Sequence, residues 1–172
     1  MKRKICVFCL LLTSLCAMAL ALAKTRHLGY RVNRSDSLPC FVYRIMQLKK
    51  NGPIQRGDCV LIDLSTFTNA VIEHGVERGY VNRKEPMLKR ISGIPGDTIV
   101  LDGNCLIVNG ETTKITVASA DYYGGKLRAW PTPITLSPDC YWLISDPERG
   151  FDSRYFGPVN RSAFTHKAYP VF

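Results

Sequence analysis

Met87-Leu88-Lys89-Arg90-Ile91-Ser92-Gly93-Ile94-Pro95-Gly96-Asp97-Thr98-Ile99-Val100-Leu101-Asp102-Gly103-Asn104-Cys105-Leu106-Ile107-Val108-Asn109-Gly110 is the stretch that decides the fold class. Its apolar, β-branched runs at 87–94, 98–101 and 105–108 are too short for helices, and each ends at a turn former. Pro95-Gly96-Asp97 punctuates the first two. Asp102-Gly103 and Asn109-Gly110 bracket the third, and such Asx-Gly pairs supply the positive φ angles that tight hairpins need. The reading is consecutive antiparallel strands.

The same pattern holds on both sides of this stretch. Residues 41–46 are β-rich. Gly57-Asp58 introduces an apolar strand at 59–64, and residues 141–145 form another that runs into a polar turn. Residues 66–77 are the only helical candidate beyond the N-terminus, with Ser65 or Thr66 as cap and Gly79 as stop. Gly124-Gly125, Pro131, Pro133 and Pro138 make 118–138 a long loop. There is no internal repeat and no second boundary. The 172 residues, 46% hydrophobic and 22% charged, suffice for one hydrophobic core and argue against disorder.

The N-terminus differs in kind. Lys2-Arg3-Lys4 precedes an apolar to weakly polar run at 5–23 that spans about 28 Å as a helix, near the thickness of a bilayer core. Ala17-Met18-Ala19 and Ala21-Leu22-Ala23 fit small-x-small cleavage sites. Residues 1–24 therefore read as a cleaved signal peptide or an uncleaved signal-anchor. Residues 25–172 read as an exported domain, because the basic end stays in the cytoplasm. The expected location is a bacterial inner membrane facing the periplasm, or the periplasm itself after cleavage. The net charge of +9 falls to +6 once residues 1–23 are set aside, and no basic run is interleaved with aromatics, so nucleic acid is not an expected partner.

Seven cysteines are present. Cys6, Cys9 and Cys16 lie in the apolar run and read as small fillers. Cys40, Cys59, Cys105 and Cys140 lie in the exported part, where one or two disulfides are allowed and three full pairings stay open. Neither these cysteines nor His27, His74 and His166 have metal-ligand spacing, and no cofactor is implied.

Three clusters combine polar chemistry with turns: Asn33-Arg34-Ser35-Asp36-Ser37-Leu38-Pro39, residues 87–97, and Phe151-Asp152-Ser153-Arg154-Tyr155-Phe156-Gly157-Pro158. The first presents Ser37 on a rigid extended turn. In the second, Lys89 lies in a strand-like apolar run, and its side chain is either solvated or buried. If buried, desolvation lowers its pKa until it can act as a neutral base. In the third, Asp152 and Arg154 can pair across a turn. A serine hydroxyl needs a base to become a nucleophile, and a neutral lysine supplies one.

In this order the clusters resemble the type I signal peptidases, the S26-like serine proteases with a Ser-Lys dyad. Asn33, Ser35, Ser37 and Pro39, together with the ending at 151–159, are most similar to the TraF branch of conjugative-transfer peptidases. The resemblance runs from about Asn33 to Pro158. It implies a mainly β fold: a compact antiparallel β-sheet catalytic domain of signal-peptidase type, with one short helix, behind the N-terminal transmembrane or signal helix. It also implies a serine endopeptidase with Ser37 as nucleophile and Lys89 as general base. Ser35 would aid the oxyanion, which the Ser37 backbone N–H binds, and Asp152 and Arg154 would brace the site. The implied partners are a pilin or other exported precursor polypeptide, the membrane and the conjugation machinery. The product would form by hydrolysis, or by acyl transfer and cyclisation.

Three positions depart from the pattern. Phe41 stands where the TraF branch usually has Gly. Pro39 lies two residues after the nucleophile rather than the three of the housekeeping enzymes. The last box opens with Ser145-Asp146-Pro147 rather than Gly-Asp-Asn, and Gly150 stands where many housekeeping members carry a lysine-orienting Ser. Ser92 is then the candidate for orienting Lys89, by sequence proximity, and Arg90 is the candidate cation beside it. The alternatives are a housekeeping signal peptidase I, disfavoured by the short chain, the single apolar segment and the altered last box, and an exported scaffold without catalysis, which has no need of Ser37 and Lys89 together.

Overall fold

The computed structural model describes the chain apart from residues 1, 28, 36, 50, 68, 122, 123, 147–149 and 172, and apart from the side chains of residues 2–6, 19 and 21–27. A helix, α1 (Lys2–His27), comes first. Its large apolar side chains, among them Val7, Phe8, Leu10, Leu15, Met18 and Leu20, are exposed. Among the described residues no helix is long and apolar enough to cross a membrane.

Eleven strands follow among the described residues: β1 (Tyr30–Val32), β2 (Val42–Gln47), β3 (Cys59–Ile62), β4 (Met87–Gly93), β5 (Thr98–Asp102), β6 (Cys105–Val108), β7 (Glu111–Thr116), β8 (Ile134–Thr135), β9 (Cys140–Ile144), β10 (Val159–Asn160) and β11 (Phe164–Pro170). Helices α2 (Ala70–Glu77) and α3 (Ser153–Phe156) complete the set with a 3-10 turn at Arg161–Ala163. The strands form a seven-stranded sheet, β1-β2-β11-β3-β4-β9-β10, and a four-stranded sheet, β7-β6-β5-β8. Every named strand pairing is antiparallel. The mainly β, antiparallel expectation therefore holds, and among the described residues two helices rather than one lie beyond the N-terminus.

The hairpin stretch passes from one sheet to the other. β4 belongs to the large sheet, while β5 and β6 belong to the small one. At the crossing Gly96 takes φ +89°, and the buried Asp97 accepts from the Ile94 amide and pairs with Arg56 at 2.8 Å. Just before it, a Cβ on Gly93 would lie 2.9 Å from Trp142 Cβ and 3.0 Å from Ile99 and Leu136 side-chain carbons, so only glycine lets β4 pass this close. Trp142, Ile99, Leu106, Val108, Leu136 and Ile144 form the core there.

The two faces of the large sheet bury separate clusters. Val60, Ile62, Ile91, Leu143 and Phe156 lie in one, with α2 and α3 over them. Leu38, Tyr43, Cys59, Leu61 and Leu88 lie in the other. The expected start of α2 is corrected. Ser65 and Thr66 belong to a turn closed on Asp63, and the cap is Asn69, whose side chain accepts from Ile72 N and also donates to Phe156 O. Cys40, Cys59, Cys105 and Cys140 are all free thiols, so none of the allowed disulfides is formed.

Candidate active site

Ser37 sits in a loop organised by one side chain. The Asn33 amide donates to Leu38 O (3.0 Å) and Cys40 O (3.3 Å), and its Oδ1 accepts from Ser35 N and Oγ (3.3 and 3.1 Å). Asn33 N also donates to Phe41 O, which closes the loop at its base. Leu38 is buried in the cluster beneath, and Cys40 N donates to the hydroxyl of the buried Tyr43. The loop is thus pinned on both sides of Ser37. Ser35 Oγ and Ser37 Oγ lie 2.6 Å apart. Phe41 is 64% exposed, which explains how a bulky residue is accommodated where the resembled pattern has glycine.

Lys89 is buried in β4, 6% exposed. The strand is flanked by β3 and β9, and Leu88, Lys89, Ile91 and Gly93 are its buried residues. Val60 is opposite Lys89 on β3, and Nζ donates to Ser145 Oγ at 2.5 Å. Desolvation brings the Lys89 pKa down from 10.5 to about 8, while Asp152 pulls it back up and Arg154 pushes it down. Arg90, one residue on, points to the other face, toward Cys59, and pairs with Asp146 at 2.9 Å. The cation acting on Lys89 is therefore Arg154 and not Arg90. Ser92 is not its partner either. Ser92 lies where β4 is irregular, between Ile91 paired with Leu143 and Gly93 paired with Trp142, and its carbonyl accepts from Arg56, while the hydroxyl that meets Nζ is that of Ser145.

Asp152 and Arg154 form a buried ion pair, with neither side chain exposed. Arg154 Nε donates to Asp152 Oδ1 at 2.8 Å and Nη2 to Oδ2 at 2.6 Å. Asp152 also caps α3 through Arg154 N and accepts from Ser145 N at 2.7 Å. Arg154 reaches Gly150 O and Thr116 O besides. Ser153 Oγ accepts from Leu143 N, so this box is stitched to β9 along its length.

Residues 145 and 146 join the two halves of the site. Ser145 Oγ takes the lysine, and Asp146 N donates to Ser37 O at 2.8 Å. Ser145 and Asn33 stand in the quoted motifs, yet sequence reasoning gave neither a contact. The clue for Ser145 was its place at the end of an apolar strand, opposite the lysine strand. Among the described residues no group of His, Cys, Asp and Glu could hold a metal ion.

The chain matches the family described as signal peptidase, peptidase S26, over residues 3–172. It is 31% identical over 166 residues to an Escherichia coli plasmid transfer protein TraF, covering 89% of each chain. It is 29% identical over 150 residues to a conjugal transfer protein TraF of Agrobacterium fabrum, covering 84% of this chain and 82% of that one. A crystal structure of a signal peptidase I from Enterococcus faecalis aligns more distantly, at 21% identity and TM-score 0.40, over 65% of this chain and 93% of that one. With the match running across the loop of Ser37, the strand of Lys89 and the box of Asp152 and Arg154, this chain belongs to the signal peptidase S26 family, and its similarity within it is to the TraF proteins.

Proposed function

We propose that this chain is a serine endopeptidase of signal-peptidase type that processes exported precursors, pilin among them, for conjugative plasmid transfer. One observation carries the reading: a lysine buried in the sheet, its pKa lowered to about 8, is held by Ser145, the residue before the one that holds Ser37. Enclosure of an amine without a carboxylate partner is costly for a structural residue. It is useful for a base that must be neutral near physiological pH.

The chemistry follows from that arrangement. Ser37 Oγ attacks the scissile carbonyl while Lys89 Nζ takes its proton. The negative charge that develops on the carbonyl oxygen is met by the Ser37 backbone N–H and by the Ser35 hydroxyl, which lies next to Ser37 Oγ. The protonated Lys89 then gives its proton to the departing amine, leaving an acyl-enzyme. Water ends the cycle by hydrolysis, and an amine of the substrate ends it by peptide-bond transfer and cyclisation.

The test is incubation of membranes carrying the full chain with pilin precursors, read by mass spectrometry. Processing that is lost in Ser37→Ala supports the reading. A precursor cut equally by the Ser37→Ala protein overturns it. The export of residues 25–172 and their seating at the membrane belong to the same proposal. Alkaline phosphatase fused after Phe172 is expected to be active, and an inactive fusion beside an active cytoplasmic reporter at the same point excludes it.

A further inference from the structure

The proposed reaction assigns a proton acceptor but not what aims it. A lysine reaches its amine through four methylenes, and each added rotamer dilutes the one geometry that accepts a proton from Ser37. We propose that Ser145 is the positioning residue for Lys89: its hydroxyl, held in place by Asp152, fixes the lysine amine against the loop that presents Ser37. This inference rests on the peptidase reading and deepens it.

Three observations converge. The first is register. Ile91 pairs with Leu143 and Arg90 with Ile144 across β4 and β9. Carried one step further, the same register sets Lys89 opposite Ser145, on the same face of the sheet. The hydrogen bond between them is therefore a cross-strand pair.

The second is support. β9 ends at Ile144, so Ser145 is the first residue whose backbone is not fixed by that strand. Its N–H is instead taken by Asp152 Oδ2, and Asp152 is locked by Arg154 with neither side chain exposed. Ser145 itself is fully buried. The hydroxyl thus stands on a fixed backbone rather than on a mobile turn.

The third is stereochemistry. A neutral amine has two N–H bonds and one lone pair. Giving one N–H to Ser145 Oγ restricts the directions left to the lone pair. The neighbouring Asp146 N–H holds Ser37 O, so consecutive residues set the base and the nucleophile loop in one frame. The charged groups acting on Lys89 are Asp152 and Arg154, both from the box that opens α3. Its neighbour across β3 is the uncharged Val60, and Arg90 faces Asp146.

The experiment follows Lys89 directly. The full chain, labelled with 13C-lysine, is titrated in detergent micelles, and the Lys89 resonance is identified by its absence in Lys89→Met. In native protein it is expected to titrate near 8. In Ser145→Ala the ammonium loses its acceptor, so the midpoint is expected to move further down and plateau processing of pilin precursor to fall about 10²-fold. Ser145→Thr, which keeps a hydroxyl, is expected to bring the midpoint back toward the native value. If the alanine variant does not fold, Ser145→Cys, with its weaker acceptor, takes its place under the same criterion.

A folded variant without the hydroxyl whose Lys89 midpoint equals the native one overturns the proposal. If the midpoint moves but native protein processes no precursor, Ser145 still positions Lys89, and it is the peptidase reading that falls.

Discussion

Asp152 and Arg154 meet through two parallel hydrogen bonds, Nε to Oδ1 and Nη2 to Oδ2, at zero exposure of either side chain. Such a fork is directional, and losing one half leaves a bare charge in the interior. Arg154→Met is therefore expected to destabilise the domain by about 3–5 kcal/mol, read by denaturant unfolding. Asp152 and Arg154 act on Lys89 in opposite senses, the first raising and the second lowering its pKa. Where Arg154→Met still folds, the pH–activity curve is expected to move to higher pH. A curve that does not move means that the pair acts only on the fold.

On the proposed mechanism Lys89 works in its neutral form, and its folded pKa is about 8, so activity of the native protein should rise with pH through a midpoint near 8. Lys89→Arg is expected to abolish processing, since a guanidinium stays charged and accepts no proton. On the same mechanism the two residues act as a unit, so the Ser37→Ala, Lys89→Ala double variant should lose hardly more activity than either single one. An active Lys89→Arg protein would remove Lys89 as the base.

The same lysine makes a prediction about stability. Its folded pKa lies below its unfolded one, so the folded state carries a penalty that is fully present below about pH 8. The penalty is relieved as pH rises from about 8 to 10.5. Lys89→Met should therefore raise the melting temperature at pH 7, and its advantage should shrink across that window. A constant difference from pH 6 to 10 would contradict the burial of a titrating amine.

Asn33 holds the loop of Ser37 with both ends of its amide. Asn33→Asp keeps the acceptor and replaces the donor with a second acceptor, facing Leu38 O and Cys40 O. Processing is expected to drop about 10²-fold while the circular dichroism spectrum stays native. Full activity would mean that Leu38 and Tyr43 suffice to shape the loop.

The thiols give a simple count. Cys40, Cys59, Cys105 and Cys140 are free. Alkylation of denatured, unreduced protein should therefore label all four, and a shortfall of two measured by mass spectrometry would reveal a disulfide.

Sequence alone disclosed what is local. β4 to β6 were legible because their turns announce themselves through Gly96, Gly103 and Gly110, all at positive φ. Ser37, Lys89, Asp152 and Arg154 stood out through motif and order. What depended on distant partners was hidden. Whether Lys89 was solvated or enclosed turned on which strands flank β4, and they are β3 and β9. Ser92 looked like its partner because it is three residues away, whereas Ser145 is 56 residues away and adjacent only through cross-strand register. The cap of α2 shifted to Asn69 because that side chain also reaches Phe156. β11 left little local trace, since its pairing with β2 and β3 spans most of the chain.

The position of β11 between β2 and β3 makes it a latch. β2 follows the loop of Ser37, and β3 leads through its partner β4 to Lys89. β2 and β3 share no backbone pairing of their own, and each pairs instead with residues 164–170. One strand far away in sequence thus closes the seam between the half of the sheet that carries the hydroxyl and the half that carries the amine, so damage to β11 is felt at a site that none of its residues enters.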